Sequence, residues 1–193
     1  MYGKKLHTLL LVLILSLPAL PSGAQESIGL YNSVKGFGAT VRFPERDGIF
    51  HTAVAYLDIY GVPTSRCSYP GIRFNASRQY VLSKRVNGDV TMTFYAGPGV
   101  TVGYVRDHDK GRGIDFVSLF GNTEGFALAI SGDGGCRFDF DGPVSLDLSF
   151  TADLGIHIRR NEMEWSYFSP NVSIFNNGLI QALYPQLTIL FRL

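Results

Sequence analysis

The chain has 193 residues, with 17 Lys and Arg against 16 Asp and Glu, and its formal charge of +1 leaves no basic surplus for nucleic acid. Aromatic residues reach 13%, glycines number 22 and there are two cysteines, a composition that suits twisted β-structure with tight turns and excludes a disulfide scaffold.

At the N-terminus Lys4 and Lys5 precede an apolar run, Leu9 to Leu17, and then Pro18, Pro21 and the small-residue stretch Ser22, Gly23, Ala24, Gln25. Residues 1–25 therefore read as a cleaved secretory signal peptide, too short in its apolar part to span a bilayer. No other segment approaches a transmembrane helix, and 26–193 is expected to form one domain of about 168 residues.

The organising signal in that domain is alternation. Residues 34–43, 49–60 and 71–85 show it loosely, the last with Arg73, Asn75, Ser77, Gln79, Ser83 and Arg85 on a polar face. From Val90 to Arg106 one parity is Val90, Met92, Phe94, Ala96, Pro98, Val100, Val102 and Tyr104, and the other is small and polar. Phe126 to Phe140 repeats the pattern, and Val144 to Arg159 holds it without a break, setting Val, Leu, Phe, Ala and Ile against Ser145, Asp147, Ser149, Thr151, Asp153, His157 and Arg159. A period of two over this length is a long β-strand, and one tilted about 40° rises roughly 40 Å. The tail 185–193 alternates again, with Leu187, Ile189, Phe191 and Leu193 on one face.

Alternation alone does not say which face is inside. The connections do. Short ones with turn chemistry (44–48, 87–89 and 141–143) alternate with long ones (61–70, 107–122 and 160–184), the arrangement of short periplasmic turns and long extracellular loops in an outer-membrane barrel. Aromatics fall in two groups: Phe43, Phe50, Phe138, Phe140 and Phe191 near the short turns, and Tyr56, Tyr60, Phe74, Tyr104, Phe126 and Tyr184 near the long loops, as two interfacial girdles would. The expected fold is an all-β, antiparallel up-and-down transmembrane barrel of eight strands. Seven are plain; the eighth is 26–33, or else a strand around Asn171–Phe175.

These features, with Ser131–Phe140, Ser145–Asp153 and the stretch Asn177 to Leu187, resemble the small eight-stranded outer-membrane β-barrel proteins of Gram-negative bacteria, as found in Bacteroidota. Leu187–Leu193 is similar to the C-terminal signal of that group, with Leu193 in the place of the usual Phe and Phe191 two residues earlier. The resemblance implies residence in the outer membrane among its lipid and lipopolysaccharide, assembly by the barrel-assembly machinery, and an extracellular partner whose nature it does not give.

The inward face is then Arg42, Arg73, Arg85, Asp133, Arg137, Asp139, Asp147, Asp153, His157 and Arg159, a polar network filling a barrel too narrow to be a general porin. Keeping Phe140 and Val144 on one face of the 141–143 hairpin places Arg137 opposite Asp147. Neither a cofactor nor a metal is implied: Asp107, Asp109 and Asp115 only faintly resemble a calcium loop, because Gly111 and Arg112 stand where a ligand and the turn glycine belong. Cys67 and Cys136 are expected at opposite ends of the barrel, unpaired. The expected role is structural or surface-binding rather than enzymatic. The competing readings are a lipid A-modifying barrel that uses His157 and a soluble secreted barrel that binds an apolar ligand.

Overall fold

The computed structural model describes residues 27–34, 36–61, 63, 70–105, 125–159, 171–176 and 185–193, and the signal-peptide reading, Cys67 and the 107–122 loop lie outside them. The chain forms β1 (Ser27–Ser33), β2 (Gly36–Arg42), β3 (Ile49–Leu57), β4 (Ile72–Asn87), β5 (Val90–Val105), β6 (Gly125–Phe140), β7 (Val144–Arg159), β8 (Asn171–Asn176) and β9 (Gln186–Arg192). Successive strands from β1 to β8 pair antiparallel, and β9 pairs with both β7 and β1, so the sheet closes into an eight-membered barrel.

Both candidates for the eighth strand exist, and the ring is still eight. Segment 26–33 supplies β1. The segment at Asn171 forms β8, but β8 takes the Leu154–Arg159 part of β7 while β9 takes the Val144–Ser149 part of the same edge. The two are successive pieces of one line along β7. Carried around the ring, the register returns to β1 displaced by about ten residues, the stagger that a strand tilt of about 40° requires.

Strand lengths are unequal: β4 to β7 have 16 residues each, whereas β1, β2 and β9 have 7. The sorting of connections is also less complete than the sequence suggests. Ser33 pairs with Gly36, so the β1–β2 link is tight although it lies at the end of the long loops. At the opposite end Arg46 and Ile49 exchange backbone hydrogen bonds of 2.8 and 2.9 Å around Asp47 and Gly48, with φ of 52° and 73°. Two successive residues at positive φ make this a hairpin turn of the primed type, for which Asp-Gly is the favoured pair.

In β4 the register shifts between Val81 and Ser83, a β-bulge at Leu82. The extra residue reverses which parity points inward. Lys84 now stands opposite the buried Thr93, and Arg85, expected in the interior, is exposed.

Polar side chains point inward and apolar ones outward. Ile130 is 69% exposed and Leu154 57%, while Asp147 on the other parity of the same wall is 1% exposed. Outward-facing apolar residues recur on every ring strand, among them Leu30, Phe37, Leu57, Phe74, Val102, Leu128, Phe150 and Leu187.

Candidate functional site

The interior is filled in two layers. In the layer nearer the short turns, Arg42 from β2 forms an ion pair with Asp147 from β7, both side chains being almost fully buried. Tyr95 Oη donates to the other oxygen of the same carboxylate at 2.6 Å. Phe50 is 0% exposed and packs edge-on against Tyr95 with ring centroids 5.1 Å apart, and the guanidinium groups of Arg42 and Arg137 sit 4.8 and 5.6 Å from its centroid. Phe50 is therefore an interior residue and not part of a girdle. Cation–π contacts in a desolvated site are worth roughly 2 kcal/mol each, which explains an aromatic ring on a polar face.

Arg137 and Asp147 are register partners, as the hairpin geometry requires. They do not form the ion pair with each other. Arg137 Nε donates to Asp139 Oδ2 at 2.7 Å and its Nη2 is 3.9 Å from Glu45, while Asp139 also accepts from Ser145 at 2.7 Å and lies 3.4 Å from Arg192. Rotation toward the rim lets Arg137 reach two carboxylates, and it leaves Asp147 to the cation across the lumen.

The second layer lies nearer the long loops. Tyr31 and Tyr56 stack at 5.1 Å, both buried, with Arg73 and Asp153 also buried. Tyr56 too belongs to the interior and not to a girdle. Tyr31 Oη is hydrogen-bonded to Ser33 Oγ at 2.9 Å, and Thr101 Oγ1 donates to Asp153 Oδ1 at 2.7 Å. Asn75 Nδ2 donates to Thr101 and Ser131 at 3.0 and 2.9 Å, so the Asn75 amide is part of the buried network. Of the other expected members, Asp133 is buried and accepts from Thr151 Oγ1. His157 and Arg159 are backbone partners of Ala127 and Gly125 in β6, and their side chains lie outside the described residues.

Interior glycines make room for these rings. A Cβ on Gly135 would stand 2.7 Å from Tyr95 Oη, and one on Gly38 would stand 2.7 Å from Tyr56 Cβ. Between the two layers remains a chamber of about 40 Å³ lined by Thr40, Ser77, Gln79, Thr101, Thr151 and Thr188 among others. Its lining is mostly hydroxyl and amide groups, and it is large enough for two or three waters but not for an apolar ligand. Among the described residues no group of His, Cys, Asp and Glu is placed to hold a metal ion.

The sequence located the buried charges Arg42, Arg73, Asp133, Arg137, Asp147 and Asp153 and set Tyr95 on the polar parity of 90–106, but it missed the interior aromatics Phe50, Tyr56 and Tyr31. A signal for the first two was present: Thr52 and Asp58 share their parity. No protein-family model, no curated protein and no solved structure matches the chain.

Proposed function

We propose that this protein is an outer-membrane β-barrel of the small eight-stranded kind found in Gram-negative bacteria, with a filled polar interior and a structural or surface-binding role in the envelope. The observation that carries the reading is the inversion of the barrel: ion pairs and hydroxyls inside, a predominantly apolar wall outside. Exposed apolar surface on this scale is unfavourable in water and matches a hydrocarbon solvent. A closed ring also satisfies its backbone polar groups internally, which lipid demands of any spanning structure. The same inversion disfavours a soluble barrel for an apolar ligand, because the cavity such a ligand would need is occupied by Arg42, Asp147, Tyr95 and their partners.

Two layers of packed side chains across the lumen fit a closed barrel and not a general porin. The connections 61–70, 107–122 and 160–184 are the segments that would meet an extracellular partner. No enzymatic step is assigned, and His157→Ala is expected to leave lipid A composition unchanged.

Cell fractionation tests the proposal. The protein is expected in the outer-membrane pellet, resistant to alkaline carbonate extraction, and vesicles containing it are expected to exclude sugars in a swelling assay. Recovery in the soluble periplasmic or secreted fraction overturns membrane residence. Sugar permeation overturns the filled interior.

A further inference from the structure

Two basic side chains stand side by side on the outer wall where β3 and β4 meet. His51 in β3 and Arg78 in β4 are register partners, and both are exposed on the outward face. Directly opposed Cβ atoms on an antiparallel pair lie about 5 Å apart, so the imidazole and the guanidinium can reach one ligand together. An arginine on the lipid-facing side of a barrel is costly, by up to about 2–4 kcal/mol at the midplane and about 0–1 near an interface. Yet neither residue makes an ion pair among the described residues. The nearest acidic turn residue with a described pair, Glu45, is 2.7 Å from Lys84 and 3.9 Å from Arg137. Arg78 lies 5.4 Å from the centroid of Tyr80, which is itself exposed.

Depth and shape point to what neutralises the pair. The carbonyl of His51 accepts a hydrogen bond from Phe43 N at 3.0 Å beside the Asp47–Gly48 turn, so His51 and its register partner Arg78 sit toward the short-turn rim, where a headgroup would lie. On the side away from that rim the wall is built of small residues: Ala53 pairs with Ala76, and Ala55 pairs with Ala39 on β2. Phe74 and Val100, both exposed, border this track. A shallow trough running from a guanidinium and an imidazole into the apolar wall has the form of a lipid, with an anionic head and an extended chain.

We propose that His51 and Arg78, with Tyr80 beside them, bind the phosphate of an anionic glycerophospholipid in the leaflet at the short-turn end, with one acyl chain lying over Ala53, Ala55 and Ala76. The proposal rests on the membrane reading given above. The phosphate supplies the negative charge that this face lacks, and the guanidinium and imidazole meet it at the depth where both can leave the hydrocarbon.

The full chain, folded into mixed phosphatidylcholine and phosphatidylglycerol vesicles and extracted into mild detergent, is examined by native mass spectrometry for retained lipid. Wild type is expected to retain phosphatidylglycerol selectively, and the double variant His51→Gln, Arg78→Gln to lose that retention about tenfold, with Arg46→Gln in the adjacent turn as a control that keeps it. Ala76→Phe leaves both basic side chains in place and fills the trough, and it is expected to lose retention too, which keeps the test decisive if the double variant folds poorly. Equal retention in these variants overturns the site while leaving the membrane reading intact. Displacement of the lipid by inorganic phosphate alone overturns the lipid assignment in favour of a free-anion site. Failure of the wild type to enter vesicles overturns both.

Discussion

Asp147 stands opposite Arg137 in the β6–β7 ladder but gives its carboxylate to Arg42, which reaches it across the interior from β2. The ion pair thus joins strands that are not neighbours, and it crosses the barrel instead of following the sheet.

Removing one partner of this buried pair leaves an uncompensated charge, so Asp147→Ala or Arg42→Ala should lower the folding free energy in vesicles by about 3–5 kcal/mol, while replacing both by Leu and Met should cost much less. Urea titration of vesicle-inserted protein measures this. A double-mutant cycle on Arg42 and Asp147 is expected to show strong coupling, and the cycle on Arg137 and Asp147 weak coupling. The reverse order would mean that the register pair is the ion pair after all.

Phe150 and Thr151 are adjacent in β7 and face opposite ways. Phe150 is 45% exposed on the outer wall, and Thr151 hydrogen-bonds to Asp133 and Gln186. Phe150→Arg is expected to cost about 2–4 kcal/mol of stability in a bilayer. Thr151→Val removes a buried donor from carboxylate and amide oxygens and should cost about 1–3 kcal/mol by the same titration. An unchanged midpoint for Phe150→Arg would show that this face does not meet lipid.

The bulge at Leu82 separates two arginines on one strand. Arg73→Ala empties a buried position and is expected to be strongly destabilising, whereas Arg85→Ala should change stability by no more than about 0.5 kcal/mol. Deleting Leu82 restores the uninterrupted register and should turn Arg85 inward. A deletion variant as stable as wild type, with Arg85 still reactive toward an arginine-specific reagent, would contradict the parity reversal.

Cys136 lies on the outward parity of β6, opposite Phe94 and Leu148, and is partly exposed. In a Cys67→Ser background a membrane-soluble maleimide should label it in vesicles and a charged, impermeant one should not, because a charged reagent does not enter the hydrocarbon expected around this face. Rapid labelling by the charged reagent would place Cys136 in water.

Period-two alternation made β5, β6, β7 and β9 legible, and with them the 141–143 hairpin and the opposition of Arg137 and Asp147, because a one-residue slip would have put every charge on the apolar face. The limits have equally physical causes. Alternation fixes parity within a strand, so one extra residue at Leu82 was enough to misplace Arg85. It sorts residues by polarity, so it sent Phe50 and Tyr56 outward, whereas in a lumen full of guanidinium groups and carboxylates an aromatic face or a phenol hydroxyl is a good partner. Register says which backbones are neighbours, and long side chains such as Arg42 and Arg137 then choose among several carboxylates.

Closure rests on one seam. Six residue pairs, from Ser27 with Arg192 to Asn32 with Leu187, join β1 to β9, whereas every other ladder joins strands adjacent along the chain or, for β7 and β9, next but one. Among the described residues the seam is the pairing of greatest sequence separation, so its loop-closure entropy is expected to be met last and to govern the folding rate. Until it forms, β1 and β9 are open edges able to template pairing with another chain, and the polar lumen has no second wall. A substitution confined to the seam, such as a proline at Ile189, should therefore slow assembly and promote aggregation out of proportion to the few contacts it removes.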